Sequence, residues 1–275
     1  MAPLKFVFHG RIAHHEVGAF GEVRPSAILR TLQEAAIEAS TAAGFSAEWY
    51  LGAGTQWIVR RTALRIDDAL RGGETVAVTT WVADFRRVLS RREYAIAGGD
   101  GRPIANGWSD WVYLDVTRGR PKKVEPQMIE AFLPEGAGPP VERVPLEVGD
   151  APADAFRRRQ PVLLRDLDGF AHMNNAATVD LLEETLAGAL ADGGHPLERV
   201  LAEGASPRLR ALDVEYLDEA RHGETLEGRL WGNFRADGRL AASFETAAVA
   251  RDAVVTQARS EWEGLPPLEK LAGRG

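Results

Sequence analysis

The chain has 275 residues, 45% apolar and 27% charged, with a formal net charge of −7; this supports a sizeable packed core and argues against a nucleic-acid partner, which would call for a basic face. There is no cysteine, which excludes disulfides, thiolate metal ligands and any thiol nucleophile. No apolar run approaches the roughly 18 residues of a membrane span, and in the opening MAPLKFVFHGRIAHHEV the short apolar stretch is broken by His9 and Arg11, unlike a signal peptide, so a cytoplasmic protein with no membrane association is expected.

Residues 4–12 alternate as a strand. His14 and His15 follow. Neighbours on an extended chain point to opposite faces, so the pair reads as turn or surface, and no metal is expected there. From Pro25, suited to a first helical turn, Ile28, Leu29, Leu32, Ala35, Ala36 and Ala39 form one apolar stripe at helical spacing, with Gly44 as the stop. Trp49, Tyr50 and Trp57 lead into a strand over 57–66. Gly72-Gly73 marks a turn, and strands are expected over 75–83, 91–97 and 103–114. Residues 134–155, rich in Pro, Gly and acid, read as a linker between residues 1–133 and residues 156–264. Beyond it the pattern restarts. A strand over 160–164 precedes a helix over 175–190 that Gly193-Gly194 ends, and strands follow over 209–216, 225–234, 239–250 and 254–263. Residues 265–275 read as a loose tail.

The restart is a repeat. Gly73-Glu74-Thr75 recurs as Gly223-Glu224-Thr225 and Trp81 as Trp231, each offset by 150 positions. Leu32 and Glu34 match Leu182 and Glu184 in the same register. Ser109-Asp110-Trp111 matches Ser260-Glu261-Trp262 one residue later. Each half is a helix plus an antiparallel sheet, and a helix with one apolar stripe is buried economically by a curved sheet wrapped around it. Two such units side by side could join their sheets edge to edge.

The copies differ where chemistry would sit. In R-D-L-D-G-F-A-H-M-N-N, residues 165–175, Asp166, Asp168 and His172 lie in the turn before the second helix, and Asn174 and Asn175 stand where its N-cap falls. The first copy has Gly18 at the place of Asp168, Glu22 at that of His172 and Arg24-Pro25 at that of the two asparagines. A helix start carries unpaired N–H donors and a partial positive charge. A carbonyl polarised there, beside a carboxylate and an imidazole, is what a hydrolase of esters or thioesters needs. The competing reading is ordinary turn and cap residues. No G-x-S-x-G elbow supplies a serine nucleophile, and no G-x-G-x-x-G opens a helix after a strand, so no cofactor is expected.

With VRPSAILRTLQEAA, QWIVRR, GETVAVTTWV and WSDWVYLD in the first copy, and RDLDGFAHMNN and LDVEYLDEARHGETL in the second, the chain resembles the acyl-ACP thioesterases of plants and bacteria over roughly residues 5–263. The resemblance implies an α+β double hot dog, two copies of a long helix wrapped by an antiparallel sheet, joined into one continuous sheet. It implies hydrolysis of fatty acyl-ACP to free fatty acid, with the second copy catalytic and the first supplying pocket wall. Asp168, His172, Asn174 and Asn175 match the family's catalytic stretch. Phe170 stands where an Asn is usual and Thr178 where a Tyr is usual. Glu219 matches an acid placed on the next strand, and Ala220 occupies a position often held by Cys. Asp168 or Glu219 would activate water or attack as a carboxylate, with His172 orienting the acid or the water or protonating the departing thiolate, and helix N–H groups near Asn174 and Asn175 polarising the carbonyl. Glu219 has a competing reading as a solvated acid beside Asp218, and Asp166 reads as a turn residue.

An acyl chain needs an apolar pocket, for which Phe170, Trp49, Trp57 and Ile58 are candidate walls, beside Phe45 and Tyr50; core packing is the alternative. Docking an acidic acyl carrier protein would need a local basic patch, for which Arg86-Arg87, Arg91-Arg92, 118–123 and Arg157–Arg159 are candidates. The alternatives are an acyl-CoA thioesterase and a catalytically silent binder of acyl thioesters. Either a monomer or a homodimer fits.

Overall fold

The structure, a computed structural model, describes residues 4–136 and 140–266, so 267–275 of the expected tail lie outside the described residues. The chain divides into two compact units, Met1–Pro145 and Leu146–Gly275.

The first unit runs β1 (Phe6–Arg11), α1 (Pro25–Ala42), α2 (Ala47–Ala53), β2 (Thr55–Ile66), β3 (Thr75–Arg86), β4 (Leu89–Gly98), β5 (Pro103–Asp115), β6 (Arg120–Pro121) and α3 (Pro126–Phe132). Its strands are antiparallel in the order β1-β3-β4-β5-β2, with β6 paired to β5. The second runs β7 (Phe156–Pro161), α4 (Asn175–Asp192), α5 (Leu197–Ala202), β8 (Arg208–Tyr216), β9 (Thr225–Phe234), β10 (Leu240–Ala248) and β11 (Ala253–Glu263). Its order, β7-β9-β10-β11-β8, repeats that of the first. Each unit is thus a hot dog, an antiparallel sheet around one long helix.

The apolar stripe of α1 is buried throughout, from Ala27 to Ala39, and α4 buries Val179, Leu182, Leu186 and Leu190 in the same way. Opposite them lie the inward residues of the sheets, such as Val76, Val78 and Val82 in one and Leu226, Leu230 and Phe244 in the other. The period of 3.6 on the helix meets the period of 2 on the strands. Gly228 on β9 permits the close approach of α4, because a Cβ there would stand 2.6 Å from Thr185 Oγ1. Both long helices stop as their glycines suggest: Gly44 (φ +93°) and Gly194 (φ +91°) follow the caps Ala43 and Gly193.

Three features depart from what the sequence predicts. The strand expected over 160–164 is β7, shifted back to Phe156–Pro161. Its three arginines look like a solvated charge run, yet they alternate across a strand: Arg157 and Arg159 bond Glu227 from one face, and Arg158 reaches Glu184 from the other. The short helices α2, α3 and α5 fall below the length at which periodicity is legible; α2 is announced only by its cap, where Ser46 Oγ accepts from Trp49 N at 3.3 Å. Lastly, part of the stretch read as linker is bound down. Asp84 Oδ2 accepts from Val141 N and from Arg143 Nη1, both at 2.9 Å, and Arg143 Nε also donates to Asp110 Oδ1 at 3.1 Å. Asp110 is in turn held by Arg91 at 2.6 and 2.7 Å.

Candidate active site

The polar turn of the second unit is built around Asp168. Its Oδ1 accepts from Phe170 N at 2.9 Å and from His172 N at 3.3 Å, and its own N–H donates to His172 O at 2.8 Å. Such a closed turn needs a left-handed residue, and Ala171 takes that role at φ +61°. The turn is tied to the loop after β8 by Met173 N donating to Ala220 O at 2.8 Å and by an antiparallel bridge between His172 and Arg221. Asp166, the turn residue of the pair, accepts from Leu163 N at 2.8 Å through Oδ2 and from Asn174 N at 2.7 Å through its carbonyl.

These ties bring His172 and Glu219 together. His172 Nε2 lies 2.8 Å from Glu219 Oε2, with both side chains a little over one-third exposed. Glu219 lies in the loop between β8 and β9, not on a strand as the resemblance implies, because the strand ends at Tyr216. Its other oxygen is bonded by Arg221, and its carbonyl accepts from Arg251 Nη2 at 2.7 Å. Arg251 is held by Asp218 and by Glu224, the latter at 2.8 Å. Arg221 escaped the sequence reading. The signal was its spacing: on an extended chain residues two apart share a side.

The helix start is more occupied than a bare N-terminus. Asn174 is the N-cap, and its Oδ1 accepts from Ala176 N at 2.9 Å; Asn175 is the first helical residue and not a cap. Ala177 N donates to Asn174 O at 2.9 Å. Among the described residues this leaves the Asn175 N–H as the donor of the first turn with no partner. Tyr216, whose phenol burial pushes up, donates to Asn175 O at 3.2 Å and steadies that residue from β8.

Phe170 is 64% exposed on the same turn. Trp49 and Trp57 belong to the first unit, where they pack against a cluster of Phe45, Val82, Tyr113, Val124, Met128 and Phe132. Ile58, next to Trp57 on β2, points the other way and is 40% exposed, so it is not part of that cluster. His14–Glu16 form a single 3-10 turn, and among the described residues no group of His, Asp and Glu is arranged to hold a metal. No helix of the described residues is long and apolar enough to cross a membrane.

The first unit has the same backbone scaffold with different side chains on it. Gly18 N donates to Glu22 O at 2.8 Å, Val23 N to Leu70 O at 2.9 Å and Arg24 N to Glu16 O at 2.9 Å, each bond 150 positions from its counterpart. Arg102 Nη1 donates to Ala69 O at 3.1 Å as Arg251 does to Glu219 O. Asp168, His172 and Glu219 thus correspond in space to Gly18, Glu22 and Ala69.

Residues 4–132 match the model of the acyl-ACP thioesterase N-terminal domain. The chain is 25% identical over 187 residues to a chloroplastic palmitoyl-acyl carrier protein thioesterase of Cuphea hookeriana, and 25% over 199 residues to a chloroplastic dodecanoyl-[acyl-carrier-protein] hydrolase of Cinnamomum camphora, covering 63% and 67% of this chain. The matched stretches span about half the length of those relatives, 45% and 51%. Among solved structures the fold resembles a putative oleoyl thioesterase from Lactobacillus plantarum (TM-score 0.82, 22% identity, 96% of this chain and 98% of that one). It also resembles the 12:0-ACP thioesterase of Umbellularia californica (TM-score 0.75, 19% identity, 94% of each chain).

Proposed function

Because residues 4–132 match the model of the acyl-ACP thioesterase N-terminal domain, we propose that the chain belongs to that family, that it is a cytoplasmic hydrolase of fatty acyl-ACP thioesters and that its reacting groups are those of the second unit. The observation that carries this reading is the pair His172 Nε2–Glu219 Oε2 at 2.8 Å, beside a helix start with one N–H to spare.

Both oxygens of Glu219 are engaged, one by His172 and one by Arg221. A carboxylate so held is better suited to orienting an imidazole than to attacking a carbon itself. His172 Nδ1 makes no hydrogen bond among the described residues. It takes a proton from water as the water oxygen bonds to the thioester carbon, and Glu219 stabilises the imidazolium that results. The negative charge gathering on the carbonyl oxygen is met by the Asn175 N–H. As the carbon–sulfur bond breaks, the proton passes from Nδ1 to the leaving sulfur, giving a fatty acid and the carrier's thiol. Asp168 keeps the turn closed and so positions the imidazole. The corresponding Gly18, Glu22 and Ala69 could not perform these steps, which leaves the first unit to bind.

The test is release of free thiol from a panel of acyl-ACPs and acyl-CoAs by the wild type, His172→Gln, Glu219→Gln and Asp168→Asn. Each of the first two changes should lower kcat by about 100-fold or more with KM little changed. Asp168→Asn should cost less, since an amide oxygen still accepts the two N–H groups. No turnover of any thioester by the wild type would sink the reading and leave a silent binder.

A further inference from the structure

Arg91 and Arg92 are neighbours on β4 with opposite fates. Arg91 lies on the outer face, bonded twice by Asp110 at 2.6 and 2.7 Å, its guanidinium 3.6 Å from the Trp108 ring centre. Arg92 points inward and is 7% exposed. Its one hydrogen bond is a long one, from Nη1 to Thr80 Oγ1 at 3.4 Å, and among the described residues no carboxylate pairs with it. Around it are Phe132, whose ring centre is 5.3 Å from the guanidinium, and Tyr50 and Tyr94, close enough for their phenols to act on its charge. Phe132 packs on Phe45 and Phe85, and Trp57 on Phe85 and Tyr113. A buried guanidinium with one of its five donors used is costly, and burial presses its pKa down.

The fold does not require it. In the second unit the same three sheet positions, matched by strand pairing, are Leu230 for Thr80, Ala242 for Arg92 and Phe244 for Tyr94, all buried and apolar. The same sheet closes on its helix there without any charge. Trp49, Tyr50, Trp57 and Phe85 are only partly buried, so the aromatic cluster has an open side.

We propose that Arg92, with the phenol of Tyr50, is an anion-binding subsite inside the aromatic cluster of the first unit, and that it takes the carboxylate of an otherwise apolar chain. A carboxylate there makes charge-assisted, forked bonds with the guanidinium and offsets its burial, while the rings cover the chain. That carboxylate has two sources, the head of a free fatty acid or the far end of an acyl chain that is itself a dicarboxylic acid.

Calorimetric titration of the full chain with dodecanoate and with dodecanol tests the subsite. The wild type should bind dodecanoate at least about tenfold more tightly than dodecanol, and Arg92→Met should abolish that preference while leaving dodecanol within about threefold. Equal binding of acid and alcohol by the wild type, or a preference that survives Arg92→Met, overturns the proposal. If Arg92→Met loses its fold by circular dichroism, Arg92→Gln is judged by the same two criteria. The source follows from thiol release: the half-thioester of dodecanedioic acid outpaces the dodecanoyl thioester, in an Arg92-dependent way, only if the far end of a substrate is what the subsite holds. The subsite does not rest on the hydrolase reading, since dodecanoate bound through Arg92 by a protein that releases no thiol supports the first and sinks the second.

Discussion

Glu219 and Ala69 occupy the same place in two copies of one loop, and only the first can ionise. The neighbouring turns show a second such pair: Gly21 at φ +78° and Ala171 at φ +61°. A residue with a Cβ pays about 1–2 kcal/mol in the left-handed region, whereas glycine there loses about 0.4–1 kcal/mol through the greater freedom of the unfolded chain. Ala171→Gly should therefore raise stability slightly, by up to about 1 kcal/mol in urea unfolding, although it stands between two residues of the candidate site. A loss of stability would mean that the Ala171 methyl makes contacts that outweigh the strain. Asp168 and His172 were legible as polar groups in a turn before a helix. The role of Arg221 was not, because it depends on where the carboxylate of Glu219 points.

β7, β9 and β10 are laced by ion pairs. Glu227 bonds Arg157, Arg159 and Arg229, at 3.1, 2.9 and 2.9 Å, and Arg229 also bonds Glu245 at 2.8 Å. Burial pushes the Glu227 carboxyl up, but the three guanidinium groups outweigh it and hold the carboxyl at about 2. A depressed carboxylate contributes stability that is present above its unfolded value, near 4.5, and is lost as pH falls toward 2. Glu227→Gln should thus destabilise at pH 7 by on the order of 1–3 kcal/mol and flatten the acid limb of the stability profile, read by denaturant unfolding from pH 7 to pH 2.5. At β3, Arg143 is the cation that compensates the buried Asp84. Arg143→Met should cost about 3 kcal/mol by the same measurement, and Asp84→Asn in that background should restore part of it, since the uncompensated charge is then gone. Restoration too small to measure would show that packing, not charge, holds this segment.

Over the whole molecule, one backbone scaffold is used twice, whereas the side chains of Asp168, His172 and Glu219 have Gly18, Glu22 and Ala69 as counterparts. The proposed mechanism therefore predicts a single site per chain. Glu22→Gln should change turnover less than about twofold where His172→Gln lowers it at least about 100-fold, measured as thiol release on the same substrate; a large effect at Glu22 would give the first unit a part in the reaction. The sequence by itself determined the two helices, nearly all of the long strands, their repeat and the identity of the turn before the second helix. Those features are local: a stripe at period 3.6, an alternation at period 2, a glycine where φ must be positive. Tertiary structure decided which distant groups meet. His172 reaches Glu219 because Met173 and Ala220 are hydrogen-bonded and His172 and Arg221 are bridged, a register that neither segment encodes alone. Likewise Arg91 and Arg92 are alike as letters, and the sheet that sets one against Asp110 and the other against Phe132 makes the first a structural ion pair and the second an unmatched charge.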